Sequence, residues 1–309
     1  MIRNVTFSIT NRCNSHCKIC NIWKISDFSD ELSLPEIKGL LAEPYFKDLD
    51  TVSITGGEPM LRKDLAEIIR LIKAQRPKVR RIFLNTNATL INKTLEICSL
   101  CTSLFEETIL SISLDGRPHI HNALRGIKNY ENVISLLEKA SKIPHLKISL
   151  SMTLSNKNCT LVDLTHVHNL ARQYNVMFSF RFADNSKTYY RNENIKFAVS
   201  ETKKQLVSRF IKKHCQDNEF LQVLDRYIET DEIPFLIDKK GHNCCLAGKE
   251  FAFIHPNGKV SPCLYSTQTI DISGNINKKI KLGTHEKCPC CTDCAIYPIL
   301  EHQKGVTKC

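Results

Sequence analysis

The chain has 309 residues, 42% of them hydrophobic and 24% charged, enough apolar side chain for one or two globular domains with a sizeable core. No run of 18 apolar residues occurs, so no membrane-spanning helix is expected, and no low-complexity segment marks disorder. The formal net charge of +11 is spread along the chain rather than clustered, which reads as a solvated basic surface or as a match to an anionic small molecule or acidic peptide; with no nucleic-acid motif present, it does not point to DNA or RNA.

The N-terminus enters a strand-like pattern at once, over residues 5–9. It has neither the apolar stretch nor the small-residue cleavage site of a signal peptide, so a cytosolic location is expected, where thiols stay reduced. A helix is expected over 34–42, because Ser33 and Glu36 make a capping box and Pro35 falls where its missing N–H costs nothing. Strands expected at 51–54, 81–85, 108–114, 146–154 and 177–182 alternate with helices at 64–74, 92–101, 130–142, 160–174 and 201–215. Such alternation predicts a parallel sheet with helical crossovers, open or closed into a barrel. Residues 183–193 are polar and loop-like. Beyond 237 the chain turns to Gly, Pro, Cys and short strands. The expected division is a main α/β unit over 1–200, a helical connector over 201–237 and a small metal-stapled domain over 238–309.

Fifteen cysteines in a reduced compartment favour metal over disulfides. Cys98, Cys101, Cys159 and Cys215 read as buried thiols. Cys13, Cys17 and Cys20 follow the first strand with the spacing C-x3-C-x2-C. Three thiolates on one loop suit three irons of a four-iron cluster and leave one iron open, as a catalytic metal requires. A zinc site completed by His16 is the alternative, although zinc sites more often pair two C-x2-C units.

Polar groups recur at the ends of the other strands. The second is followed by Gly56-Gly57-Glu58-Pro59, where the glycines permit close backbone approach and Glu58 suits an ammonium group. The third leads into Asn85-Thr86-Asn87-Ala88, with amides fitted to ribose or carboxylate. The fourth leads into Ser113-Leu114-Asp115-Gly116, with His121 and Arg125-Gly126 farther along; a guanidinium fork suits a carboxylate. Thr153 and Arg181 end the fifth and sixth. In a parallel barrel all of these would share the C-terminal mouth, where ligands bind.

This set of motifs resembles the radical S-adenosylmethionine (radical SAM) superfamily. The resemblance implies a partial (β/α)6 TIM-like barrel and a [4Fe–4S] cluster on Cys13, Cys17 and Cys20. S-adenosylmethionine would sit on the open iron and be cleaved reductively to a 5′-deoxyadenosyl radical that abstracts a substrate hydrogen. A reductant such as flavodoxin or ferredoxin would supply the electron. Gly56, Gly57 and Glu58 would hold the methionyl amino group, Ser113 would contact the cofactor, and Arg125 would pair with its carboxylate; Asn87 joins this cofactor-binding set. One position departs from the family: Ile19 stands where an aromatic residue usually touches adenine.

The C-terminal region resembles the SPASM/twitch extension. Cys245 to Cys263 fits C-x12-G-x4-C, with Gly258 at an expected hairpin turn, and Cys288-Pro289-Cys290-Cys291-Thr292-Asp293-Cys294 follows. Cys291-x2-Cys294 is the shorter, twitch-like ending. It implies an auxiliary [4Fe–4S] cluster on Cys245, Cys263, Cys291 and Cys294, with Cys288 able to replace Cys291. Cys244, Cys288, Cys290 and Cys309 would suffice for a second cluster, and a zinc ribbon is the alternative. An auxiliary cluster would accept an electron or fasten the cap, and Cys244 is a spare thiol able to return a hydrogen atom. The expected reaction is oxidation, crosslinking or epimerisation of a peptide or of a carbohydrate-like small molecule. The shorter ending favours the small molecule, and a chain that opens on its first barrel strand, without a leader-binding domain, removes one argument for a peptide without excluding it. The rival expectation is a non-catalytic Fe–S or zinc protein that binds an anionic partner.

Overall fold

The computed structural model describes residues 2–197, 199–230 and 247–270. Strands and helices alternate as β1 (Asn4–Ser8), α1 (Leu34–Ala42), β2 (Thr51–Thr55), α2 (Leu65–Gln75), β3 (Arg81–Thr86), α3 (Ile91–Leu104), β4 (Glu107–Ser113), α4 (Pro118–Arg125), α5 (Tyr130–Ala140), β5 (Leu146–Leu154), α6 (Leu161–Gln173) and β6 (Met177–Phe182). Helices α7 (Glu201–His214) and α8 (Glu219–Thr230) follow, then β7 (Phe251–Ile254) and β8 (Val260–Ser261). The strand order is β6-β5-β4-β3-β2-β1-β7-β8, and each of β1 to β6 is parallel to the next. Spatial order follows chain order without the reversal of a doubly wound sheet. The result is the partial TIM-like barrel, with β6 at one end of the described sheet and β8, bridged in turn to Ile270, at the other.

Strand side chains alternate between two faces. In β2, Val52 and Ile54 are buried in the core cluster, while Ser53 and Thr55 face the barrel cavity. In β5, Ile148, Leu150, Met152 and Leu154 are buried in that cluster, while Ser151 and Thr153 face the cavity. The register aligns Ser113 with Ser151 and Ser151 with Ser179. The apolar face thus lies in the helix-packed core, each such Val, Ile or Leu contributing about 1.5–3 kcal/mol, and the inner face is polar.

Two departures from the sequence expectation bear on the site. Helix α4 was not expected, because His119, His121 and Asn122 dilute the apolar signal of an eight-residue helix; its Leu124 and His121 are nonetheless buried. And β7, expected in a separate small domain, extends the barrel sheet. It pairs in parallel with β1, Asn4 with Phe251 through Phe7 with Ile254, and all four of its residues are buried. The hairpin at Gly258 (φ 79°) then returns β8 antiparallel to β7. Cys98, Cys101, Cys159 and Cys215 are buried as expected. Cys244, Cys245, Cys288, Cys290, Cys291, Cys294 and Cys309 lie outside the described residues. Among the described residues no helix is long and apolar enough to cross a membrane.

Candidate active site

The cysteine loop leaves β1 and is held from several sides. Glu31 accepts from Thr10 Oγ1 at 2.9 Å and from the Asn11 N–H at 2.6 Å. The last carbonyls of α4, which a helix leaves unpaired, take two loop amides: His16 N donates to Arg125 O at 2.9 Å and Lys18 N to Leu124 O at 2.8 Å. Gly126 ends that helix in the left-handed region (φ 68°), and a Cβ there would stand 2.4 Å from His16 O. Asn87 Nδ2 donates to Asn14 Oδ1 and Ser15 Oγ, both at 2.9 Å, and Asn87 Oδ1 accepts from Thr89. The amide expected to meet a ligand is therefore spent on shaping the loop.

The Gly-Gly turn docks onto the same loop. Gly57 N donates to Thr10 O at 2.7 Å and Glu58 N to Arg12 O at 2.8 Å. A Cβ on Gly57 would lie 2.1 Å from Arg12 O, so the close approach that demands glycine here is loop against loop. The buried Glu58 carboxyl accepts from Asn87 N at 2.6 Å, Thr86 Oγ1 at 3.0 Å and Met60 N at 3.2 Å. Burial dominates these bonds and pushes its pKa up to about 7. A carboxylate has about four lone-pair sites, so room remains for one further donor from the cavity.

Arg125 projects inward. Its Nε donates to Asp115 Oδ2 at 2.6 Å and its Nη1 stands 4.0 Å from Cys17 Sγ. Asp115, itself buried, is held by the Thr153 N–H at 2.9 Å. His121 Nδ1 accepts from Asp115 N at 3.1 Å, so its Nε2–H donates to Asn129 Oδ1 at 3.0 Å. Burial lowers the His121 pKa to about 4 and keeps the ring neutral. Desolvation also pushes Cys13 up to about 11 and Cys20 up to about 12, and raises Cys17 against the pull of Arg125. Such thiols ionise at neutral pH only when a metal takes them.

The donor set fits a cluster better than zinc. Among the described residues no three His, Cys, Asp or Glu side chains are gathered as a single ion requires, whereas a cubane spreads three thiolates over three irons. His16 does not complete a zinc site: it is exposed and packs edge-on against Trp23 at 4.9 Å. Cys13, Cys17, Cys20, Gly56, Gly57, Glu58, Asn87, Ser113 and Arg125 all line one cavity that opens to solvent, and Thr153 and Arg181 line it too. Cys263 is buried just beyond β8, next to Leu264, which reaches the cavity wall. Sequence reasoning missed Trp23, Tyr189, Tyr190 and Phe253 on that wall, and the hydroxyls of Thr6, Ser53, Ser111 and Ser151 on its floor. The floor did leave a signal: every second residue of β2 is Ser or Thr, and Ser111 and Ser113 in β4 and Ser149, Ser151 and Thr153 in β5 repeat the pattern toward the mouth.

A parallel barrel with three inward thiols on its first loop and a buried carboxyl on its second defines an iron–sulfur enzyme of the adenosyl-radical class. Comparison with known proteins is specific on the same point: residues 7–156 match the Radical SAM superfamily. Those residues, just under half of the chain, form a radical SAM domain. It is 26% identical to a probable GTP 3′,8-cyclase of Methanocaldococcus jannaschii, over 85% of each chain. It is 24% identical to the antilisterial bacteriocin subtilosin biosynthesis protein AlbA of Bacillus subtilis, over 88% of this chain and 57% of that one. Among solved structures, Streptococcus suis SuiB bound to precursor peptide SuiA superposes with a TM-score of 0.65 at 16% identity, over 91% of this chain and 64% of SuiB. The anSMEcpe enzyme with bound AdoMet superposes at 0.64 with 15% identity, over 91% and 80%. These likenesses bear on fold.

Proposed function

We propose that this enzyme binds S-adenosylmethionine in the barrel cavity and uses it to abstract a hydrogen atom from a polar substrate. The observation that carries the reading is the convergence of Cys13, Cys17, Cys20, Glu58 and Arg125 on one cavity at the C-terminal mouth. Cys13, Cys17 and Cys20 would hold a [4Fe–4S] cluster, which would supply the one electron for reductive cleavage of the sulfonium to methionine and a 5′-deoxyadenosyl radical. The chain's own groups do the rest. Glu58 offers its remaining lone pair to the methionyl ammonium, and the turn of Gly56 and Gly57 sets its place. Arg125, braced by Asp115, presents its guanidinium beside Cys17, where it supports the thiolate and meets the methionyl carboxylate. Ser113, with no hydrogen bond to its hydroxyl among the described residues, faces the cofactor.

An auxiliary [4Fe–4S] cluster on Cys245, Cys263, Cys291 and Cys294 completes the proposal. Its support is the cysteine spacing and the place of Cys263 beside the cavity wall. It would accept the electron left after hydrogen abstraction. A cytosolic flavodoxin or ferredoxin would deliver the first electron.

The lining also bears on substrate. Among the described residues, the cavity presents Arg125 and Arg181 as its cations. Arg125 is paired with Asp115, and Arg181 donates to the Tyr190 hydroxyl. The floor beneath them is hydroxyl and amide. A nucleoside triphosphate is a polyanion and needs several cations to replace its hydration, so this cavity fits a carbohydrate-like molecule or a peptide better than GTP.

The test is anaerobic reconstitution with iron and sulfide, then dithionite and S-adenosylmethionine, with 5′-deoxyadenosine as readout. Wild type should yield it and a Cys13/Cys17/Cys20→Ala variant should not, while iron falls from about eight to about four per chain. Zinc in place of iron and no deoxyadenosine would sink the radical reading and leave a metal-stapled binding protein.

A further inference from the structure

Between β6 and α7 the chain crosses the cavity mouth as a strap that reaches three walls. Asn192 Nδ2 donates to Ile19 O at 2.8 Å, and Tyr190 O accepts from Asn21 N at 2.9 Å, which ties the strap to the cysteine loop. Ser186 Oγ and Thr188 Oγ1 donate to Leu264 O at 2.6 and 3.0 Å, which ties it to the segment after β8. Tyr189 reaches the third wall. Its hydroxyl stands 3.0 Å from Gly56 O and 3.0 Å from Thr55 Oγ1, and its ring packs edge-on against Phe253 of β7 at 5.1 Å.

The proton on that phenol has one place to go. A carbonyl only accepts, so Tyr189 donates to Gly56 O and accepts from the Thr55 hydroxyl. Gly56 holds φ 145°, a conformation that a side chain would strain, and the next two residues hang from the cysteine loop by the bonds of Gly57 N and Glu58 N. Tyr189 thus grips the free side of the turn whose other side the cysteine loop already holds.

We infer that Tyr189 is a positioning residue for the cofactor: its hydroxyl fixes the Gly56–Glu58 turn in the register that presents Glu58, and so sets the affinity for S-adenosylmethionine. This rests on the reading of the cavity given above. Deleting the hydroxyl leaves a backbone carbonyl without the donor that orients it, while the ring still fills its place against Phe253. The loss should therefore appear in cofactor binding rather than in folding.

The experiment uses the reconstituted full chain as wild type, Tyr189→Phe and Tyr189→Leu. It measures S-adenosylmethionine dissociation by equilibrium dialysis, the change that the cofactor makes in the electron paramagnetic resonance spectrum of the reduced cluster, iron per chain and the melting temperature. Tyr189→Phe should keep wild-type iron and melting temperature, raise Kd roughly tenfold, and need correspondingly more cofactor to change the spectrum. Tyr189→Leu should show the same loss of affinity and melt lower, because the Phe253 contact goes as well. Wild-type affinity in Tyr189→Phe would overturn the inference, since ring packing alone would then account for the residue. Loss of iron or of melting temperature in Tyr189→Phe would also overturn it, making the residue a structural one. Failure of the wild type to bind S-adenosylmethionine would instead sink the reading of the cavity.

Discussion

Glu58 is a carboxyl buried without an ion pair among the described residues, yet it faces a cavity. Three hydrogen bonds favour its charge, but desolvation wins and its pKa rises from 4.5 to about 7. An ammonium ligand prefers the ionised form, so below pH 7 binding must first expel a proton. The expected outcome is an S-adenosylmethionine affinity that is flat above pH 7 and falls about tenfold per unit well below it. Equilibrium dialysis of the reconstituted enzyme between pH 5.5 and 8 checks this, and Glu58→Gln should bind weakly with no such slope. The sign for stability is the reverse. A raised folded pKa means that the native apoprotein holds this proton more tightly than the unfolded chain does. The contribution is present below about 4.5 and is lost as pH climbs through 7. Glu58→Gln should thus gain on wild type by about 3 kcal/mol across that window in urea titrations of the apoprotein. The convergence of Cys13, Cys17, Cys20 and Glu58 on one cavity was legible in the sequence because each follows the end of a parallel strand, whereas Arg125 comes from the far end of α4, a helix the sequence did not announce. Asn87 was legible as a residue of the cavity wall, but nothing in the sequence shows that Asn14 and Ser15 would claim its amide.

At the scale of elements, α4 is the piece that converts a motif into a site. It is short, it ends in Arg125-Gly126, and its terminal carbonyls serve the cysteine loop rather than water. Gly126→Ala puts a Cβ 2.4 Å from His16 O at φ 68°, and the loop that carries Cys17 must move. The expected cost is about 1–3 kcal/mol, with lower iron loading, measured by thermal melts and iron analysis after reconstitution. Gly39→Ala is the informative contrast. It lies exposed within α1 with nothing within 4 Å of its Cβ, so it should stabilise by about 0.5–1 kcal/mol and leave iron unchanged. Helices α1, α2, α5 and α6 were legible from period and capping, and α1 begins as expected, with Glu36 accepting from the Ser33 N–H at 2.7 Å. The barrel floor was harder. Alternating Ser/Thr and apolar residues read equally well as a sheet with one face in water, and only the order of all six parallel strands turns that wet face into the wall of a cavity.

At the scale of the whole molecule, the question is where the barrel stops. Composition places a boundary near residue 237, because Gly, Pro and Cys crowd the chain beyond it. Hydrogen bonding among the described residues carries the sheet beyond it. Strand β1 lies between β2 and β7, with Arg3 N and Asn4 N also donating to Glu250 O at 2.8 and 2.9 Å. Its Val5 and Phe7 are 2% and 1% exposed. Removing everything after 237 would leave β1 with an open row of unpaired N–H and C=O groups on its β7 side, a template for pairing between chains. It would also remove Phe253, on which Tyr189 rests. Because β1 and β7 are separated by most of the sequence, closing them costs loop entropy that only late, cooperative docking recovers. A chain ending at 237 is therefore expected to be aggregation-prone and to load little iron at Cys13, Cys17 and Cys20, since their loop springs from the destabilised strand. Size-exclusion chromatography and iron analysis beside the full chain decide it. A monomeric, iron-loaded 1–237 with wild-type melting would mean that the barrel folds by itself and that β7 merely leans on it; an aggregated one would mean that β7 and β8 are part of the barrel they follow.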